Sequence, residues 1–254
     1  MRYEMNIGDN RLVIVGTGHV FKRSVMEVKS TIIKENPNIV CVELDKERYR
    51  AIMEGDKASF MDLVRHRGIK TAILGSILSS IQEEVGEDYG VMPGADMVTA
   101  VETALELGSK IYFIDRNINI TVSRLVEKMS LWEKIKTVSG AFLSLTPLKR
   151  SVSVSQFDES FINDLLRDFK KFSPNAYTVL IDERNEHMFN IIRKLLYIQD
   201  EPVNLVIVIG AGHIKGLVSM LEEERNAYKR EKEDAFETDV PGEGDDNNWE
   251  IWSN

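Results

Sequence analysis

Two stretches of this chain repeat one plan: an apolar run, then Gly-x-Gly-His, then a segment with helical periodicity. In the first, Arg11-Leu12-Val13-Ile14-Val15 leads into Gly16-Thr17-Gly18-His19; in the second, Val203-Asn204-Leu205-Val206-Ile207-Val208-Ile209 leads into Gly210-Ala211-Gly212-His213. Near-continuous apolar runs suit strands buried on both faces, the condition of a parallel sheet covered by helices. Two further runs fit the same role, Asn38 to Leu44 and Lys110 to Asp115. Between them Val25, Val28, Ile32 and Ile33 recur at helical spacing until Asn36-Pro37, and Pro93-Gly94 opens a helix carrying Met97, Val98, Val101, Ala104 and Leu105 that Gly108 ends. This alternation predicts an α/β fold with a central, mostly parallel sheet flanked by helices. From Val122 to about Phe172 helical periodicity runs without strands, which predicts a helical insertion or lid. A long helix over about Asn175 to Ile198 follows, and another over about Ile214 to Arg230.

The chain has 254 residues and a net charge of −9, enough for one α/β domain over 1–230. Residues 231–254 hold nine acids against one base, so the body is close to neutral and the tail is expected to be disordered or extended. A body without a basic field argues against nucleic acid as partner. The single cysteine, Cys41, excludes an intramolecular disulfide and a multi-cysteine zinc site, and it lies in an apolar run where a core role is expected. The first ten residues lack the basic and apolar regions of a signal peptide. The uncharged stretches Thr71 to Gln82 and Thr137 to Leu148 fall short of the roughly 20 residues that a spanning helix needs. The expectation is a cytoplasmic chain without a membrane span. The apolar content of the insertion suits a lid, a homodimer face or a peripheral membrane contact.

Ligands of parallel sheets bind beyond the carboxyl ends of the strands, and His19, Glu43, Asp115 and His213 all follow strand ends. Two imidazoles and a carboxylate are a donor set for a divalent ion such as Mn, Co or Zn, which would activate water near neutral pH. His19, Glu43 and His213 are therefore the candidate metal ligands. Arg116, Arg124 and Arg184 have two readings: they hold a substrate carbonyl or carboxylate, or they pair with Asp115, Asp182 and Glu43 in a buried network. Glu183 is a candidate general base. His66 reads as part of a solvated basic turn, and His187, four residues after Glu183, as an exposed helical pair with it. A nucleotide-binding reading stays open, because Gly-x-Gly between strand and helix is half of a dinucleotide fingerprint and Glu43 would imitate its ribose-binding acid. The third glycine of that fingerprint is misplaced.

The ordered set of motifs resembles the TraB/PrgY/GumN family, to which the Tiki proteins are related. It comprises Gly16-Thr17-Gly18-His19-Val20, Val42-Glu43-Leu44-Asp45 with Arg48, and Pro93-Gly94 with Met97 and Ala100. It continues in Asp115-Arg116 with Ile120, Thr121 and Arg124, then Glu183-Arg184-Asn185 with Met188, and ends in Gly210-Ala211-Gly212-His213 with Gly216. The resemblance covers about residues 10 to 222. It implies a fold like that of the erythromycin esterase and haem-binding ChaN proteins, and a metal-dependent hydrolase built on paired G-x-x-H motifs. Tiki relatives are manganese- or cobalt-dependent proteases, and the pheromone-shutdown members reduce peptide pheromone activity. By carry-over, His19 and His213 are the paired histidines, Glu43 the acid, and Arg116, Arg124, Glu183 and Arg184 the charged pocket residues. The expected activity is that of a metalloprotease acting on a peptide or protein; a peptide- or cofactor-binding domain without turnover is the alternative. Family members acting on membranes often carry transmembrane helices, where this chain has an acidic tail.

Overall fold

A computed structural model of the chain describes residues 1–18, 22–53, 94–136 and 159–238. His19, His66, Pro93, Thr71 to Gln82, Thr137 to Leu148 and the end of the acidic tail lie outside the described residues. The elements in order are β1 (Arg2–Ile7), β2 (Asn10–Thr17), α1 (Lys22–Glu35), β3 (Ile39–Val42), α2 (Lys46–Met53), α3 (Ala95–Leu107), β4 (Lys110–Phe113) and α4 (Ile118–Lys128). They continue with α5 (131–136), α6 (Glu159–Phe172), α7 (Pro174–Tyr177), a π-helical turn (Thr178–Asp182), α8 (Glu183–Ile198), β5 (Asn204–Gly210) and α9 (Ala211–Thr238).

Among the described residues five strands form one sheet in the order β1-β2-β5-β3-β4, with the β1–β2 pair antiparallel and the others parallel. Strand periodicity separates the core into two layers. Val13, Val15, Val40, Val42, Val206 and Val208 face α1 and α3. Leu12, Ile14, Ile39, Cys41, Leu205, Ile207 and Ile209 face α8 and α9. Burial explains the apolar runs, and it pushes the Cys41 thiol up to about 12, as an inert core residue requires. The expected stop signals act as read. Asn36 takes a positive φ of 41° and donates its N–H to the Ile32 carbonyl, and Gly108, at φ 73°, closes α3 on the carbonyls of Ala104 and Leu105.

Three boundaries differ from the sequence reading. β1 is an additional strand, whose Met5 and Ile7 are buried. The two-residue Gly8-Asp9 loop joins it to β2, with Gly8 at φ 58°. The helix read over 175–198 is interrupted by the π turn, so α8 proper begins at Glu183. Finally, α9 starts at Ala211, directly on β5, and runs to Thr238, beyond the boundary set at Arg230. Charge made residues 231–238 look like tail, yet Glu, Lys and Ala are good helix formers and extend a helix already nucleated.

Candidate functional site

The carboxyl edge of the sheet is built by backbone pairing that outlasts the strands. Glu43 N–H donates to the Val208 carbonyl (3.0 Å) and Ile114 N–H to the Val42 carbonyl (3.0 Å), which holds the segments after β3 and β4 beside β5. Asp45 then caps α2, its Oδ1 accepting from the N–H groups of Glu47 (2.9 Å) and Arg48 (3.1 Å). Glu43 is thereby fixed at the mouth of the β5–α9 junction, where Gly210 N–H donates to its Oε2 at 2.6 Å. A carboxylate is favoured there by the helix N-terminus.

His213 lies in the first turn of α9 and is only 4% exposed. Its Nε2 is 3.2 Å from Glu43 Oε1. On the other side of the ring, Nδ1 is 2.8 Å from Oδ1 of Asn185, itself 3% exposed. An amide oxygen accepts only, so this bond places a proton on Nδ1 and turns Nε2 toward Glu43. Asn185 is the site residue that chemical reasoning from sequence missed, although it stood in the Glu183-Arg184-Asn185 motif. The signal was Gly216: a Cβ there would sit 2.2 Å from Asn185 Nδ2, so the amide occupies the space a side chain would take.

A charged cluster continues from Glu43. Arg184 donates through Nη2 to Glu43 Oε1 and Asp115 Oδ2, through Nε to Asp115 Oδ1 (2.8 Å), and through Nη1 to the Leu180 carbonyl (3.2 Å). The two carboxylates raise its pKa above the ordinary arginine value against the effect of burial. Arg116 reciprocates, donating to Glu183 Oε2 (2.7 Å), the Val179 carbonyl (2.9 Å) and Thr121 Oγ1 (3.1 Å). Arg124 makes a bidentate pair with Glu183, both bonds 2.7 Å. The dipeptides Asp115-Arg116 and Glu183-Arg184 thus pair reciprocally. The π turn belongs to this arrangement, since its Val179 and Leu180 carbonyls accept from the two guanidiniums; π turns frequently occur at functional sites.

These contacts match the network reading of the arginines. Asp182, expected in it, instead accepts a 3.4 Å bond from Thr178 at the surface. Glu183 is held at about 2 by hydrogen bonds from Arg124 and Arg116 that outweigh its burial, so it is a poor proton acceptor and acts as an anchor for the two arginines. His187 does not pair with Glu183. It is half-buried, with a backbone hydrogen bond to Asp115, and burial lowers its pKa. Arg124, which lies within the segment read as a helical insertion from Val122, is carried with Thr121 by the helix Ile118–Lys128.

Among the described residues no group of three or more His, Cys, Asp or Glu side chains is placed to share one ion, and His19, the expected third ligand, is not among them. The His213–Glu43 pair does fit as two ligands. His213 Nε2 lies 3.2 Å from Glu43 Oε1, the spacing of neighbouring donors bonded at about 2.0–2.2 Å. Asn185 supplies the outer hydrogen bond that such an imidazole needs.

Fold and site together define an α/β domain with a buried histidine–carboxylate pair and an arginine cluster at the sheet's carboxyl edge. The TraB/PrgY/gumN family model matches residues 3–229, and the chain belongs to that family. It is 33% identical over 224 residues to an uncharacterized protein of Methanocaldococcus jannaschii, covering 85% of this chain and 54% of that protein. It is 22% identical over 232 residues to TraB domain-containing proteins of Homo sapiens and Bos taurus, covering 82% of this chain and 62% of each. The chain thus spans little more than half the length of these relatives. No helix among the described residues is long and apolar enough to cross a membrane.

Proposed function

We propose that the domain is a divalent-metal-dependent peptidase whose centre is the His213–Glu43 pair. The observation that carries this reading is the orientation of His213: Asn185 fixes Nδ1 and aims Nε2 at the carboxylate. His213 through Nε2 and Glu43 through Oε1 would hold the ion, with His19 as the expected third ligand. When bound, a Mn, Co or Zn ion supplies Lewis acidity and lowers the pKa of water. The protein's own residues do the rest. Gly210 N–H and Arg184 orient Glu43, and Glu183 holds Arg116 and Arg124 in place. Arg124, 38% exposed, is the guanidinium of the cluster that can reach a peptide carbonyl or carboxylate by bidentate donation.

A second reading, peptide binding without turnover, draws support from Arg184, which already compensates Glu43 with its own charge. At the second Gly-x-Gly turn the nucleotide reading draws no support, because the α9 N-terminus that would receive a pyrophosphate holds the Glu43 carboxylate. The test is calorimetric titration of the purified chain with Mn, Co and Zn, followed by a peptide-cleavage screen under the metal that binds. Binding near one equivalent, lost in a folded His213→Ala protein, together with cleavage lost in Glu43→Gln, is the expected result. Absence of binding by the wild type refutes the metal reading; peptide affinity retained without cleavage supports the second.

A further inference from the structure

Beyond α4 the chain holds apolar side chains in solvent. In α5, Leu131 is 74% exposed, Trp132 66% and Ile135 49%, and at the end of α6 Phe172 is 47% exposed. Looseness of the helix does not account for this. Ser130 caps α5 in a reciprocal box, its Oγ accepting from Glu133 N–H (3.2 Å) while its own N–H donates to Glu133 Oε2 (2.8 Å). Glu133 is buried, and it also accepts from Ser173 Oγ (2.9 Å), Asn175 N–H (2.9 Å) and Asn175 Nδ2 (2.8 Å). That node fastens the inner side of α5 to the start of α7 and so holds Leu131, Trp132 and Ile135 outward.

The surrounding charge is net positive. Residues 127–136 and 164–172 carry six lysines and arginines against four carboxylates; Arg167 pairs with Asp164 (2.9 Å) and Lys171 with Asp168 (3.5 Å), and Glu133 is consumed in the node. This local positive excess belongs to a chain of net charge −9. Lys136 joins the two kinds of group: its Nζ lies 5.9 Å from the Trp132 ring centre and 5.3 Å from that of Phe172. Aromatic rings beside lysine ammonium groups, over short helices with an anchored inner side, match an amphipathic surface lying in the headgroup layer of a bilayer.

From this we infer that the outer face of α5 and the end of α6 form a docking surface for an anionic lipid bilayer. Apolar insertion and lysine attraction act together there, and neither depends on the metal reading. The site lies one element from the cluster, because α4, which carries Arg124, leads directly into α5. Docking would therefore present the arginines to peptide substrates at a membrane surface.

The experiment uses the full chain with Trp249→Phe and Trp252→Phe, so that Trp132 is the remaining indole. Flotation is measured with phosphatidylcholine vesicles and with vesicles containing a third phosphatidylserine, in the presence of a chelator. Binding to the anionic vesicles should be tighter by about tenfold, with a blue shift of Trp132 emission, and should weaken as salt rises from about 0.1 M to about 1 M. Flotation of the parent chain, with Trp132 intact, and of its Leu131→Ser/Trp132→Ser variant should show about tenfold lower binding by the variant at unchanged melting temperature. Absence of vesicle binding, or equal binding by that variant, overturns the proposal. So does a lipid-free dimer in sedimentation that the same variant dissociates, since the face would then belong to a second copy of the chain.

Discussion

Two glycine-to-alanine changes in one helix should act in opposite directions. Gly212 and Gly216 both lie in α9, and replacing glycine by alanine within a helix ordinarily stabilises by up to about 1 kcal/mol. At Gly212 the added methyl meets only Leu166 Cδ2, at 3.7 Å, an ordinary contact. Gly212→Ala should therefore be neutral or stabilising by a few tenths of a kcal/mol, the gain being small so near the helix start. At Gly216 the methyl would fall 2.2 Å from Asn185 Nδ2 and 3.2 Å from Asn185 Cγ. The amide must turn away, which costs about 1–3 kcal/mol for overpacking. A further 1–3 kcal/mol or so is lost if the buried His213 Nδ1 is left without its acceptor. Set against the propensity gain, Gly216→Ala should destabilise by about 1–5 kcal/mol. Urea denaturation measures both variants, and the ¹⁵N shifts of the His213 ring report whether the Nδ1–H tautomer survives. A Gly216→Ala protein as stable as the wild type, with the tautomer unchanged, would refute the packing argument and with it the role given to Asn185.

The acid side of the stability curve provides a second test. The Glu133 carboxyl is depressed to about 2 from 4.5 because hydrogen bonds from Asn175 and Ser130 outweigh the opposing effect of burial. A depressed carboxylate contributes stability that is full above about pH 4.5 and is lost as pH falls toward 2. The shift places a ceiling of about 3 kcal/mol on that contribution. Glu133→Gln should therefore lower stability at pH 7 and flatten its decline between about pH 5 and pH 2, as seen in melts across that range; an unchanged acid limb would sink the idea. Arg184→Ala removes the one guanidinium between Glu43 and Asp115, both 6% exposed at the side chain. Leaving two buried carboxylates uncompensated should cost about 3–5 kcal/mol by the same denaturation assay. Arg184→Lys should recover only part, since a single ammonium cannot reproduce the paired geometry.

Much of the fold was legible because its signals are local. Apolar runs longer than any alternating pattern announce strands buried on both faces. Asn36 and Gly108 stop helices by their own backbone preferences, and an αβα sandwich is the arrangement that covers such strands. β1 escaped because an edge strand alternates only weakly, although Tyr3, Met5 and Ile7 ahead of Gly8-Asp9 carried the pattern. The site was half legible for a similar reason. A residue following a strand end has its position fixed by topology, so His213, Glu43 and Asp115 could be brought to one edge from sequence alone. What that rule cannot supply is partnership across the fold.

Chain order placed Glu183 and Arg184 on one helix, the first as a general base and the second either as a substrate-binding arginine or as a member of a buried network with Asp115, Asp182 and Glu43. Only the tertiary structure decided that Glu183 faces Arg116 and Arg124 while Arg184 faces Glu43 and Asp115. Adjacent residues on a helix point about 100° apart, and the π turn just before them sets the phase of the helix against the sheet. Asn185 shows the same division. The sequence by itself determined a small residue at position 216 and an amide at 185, whereas their meeting, and the histidine tautomer that follows, arises from α8 packing against α9. The sheet, its covering helices and the edge that carries the chemistry follow from periodicity and turn residues. The hydrogen-bond partners that set protonation and orientation come from contacts between segments far apart in the chain, which no local pattern encodes.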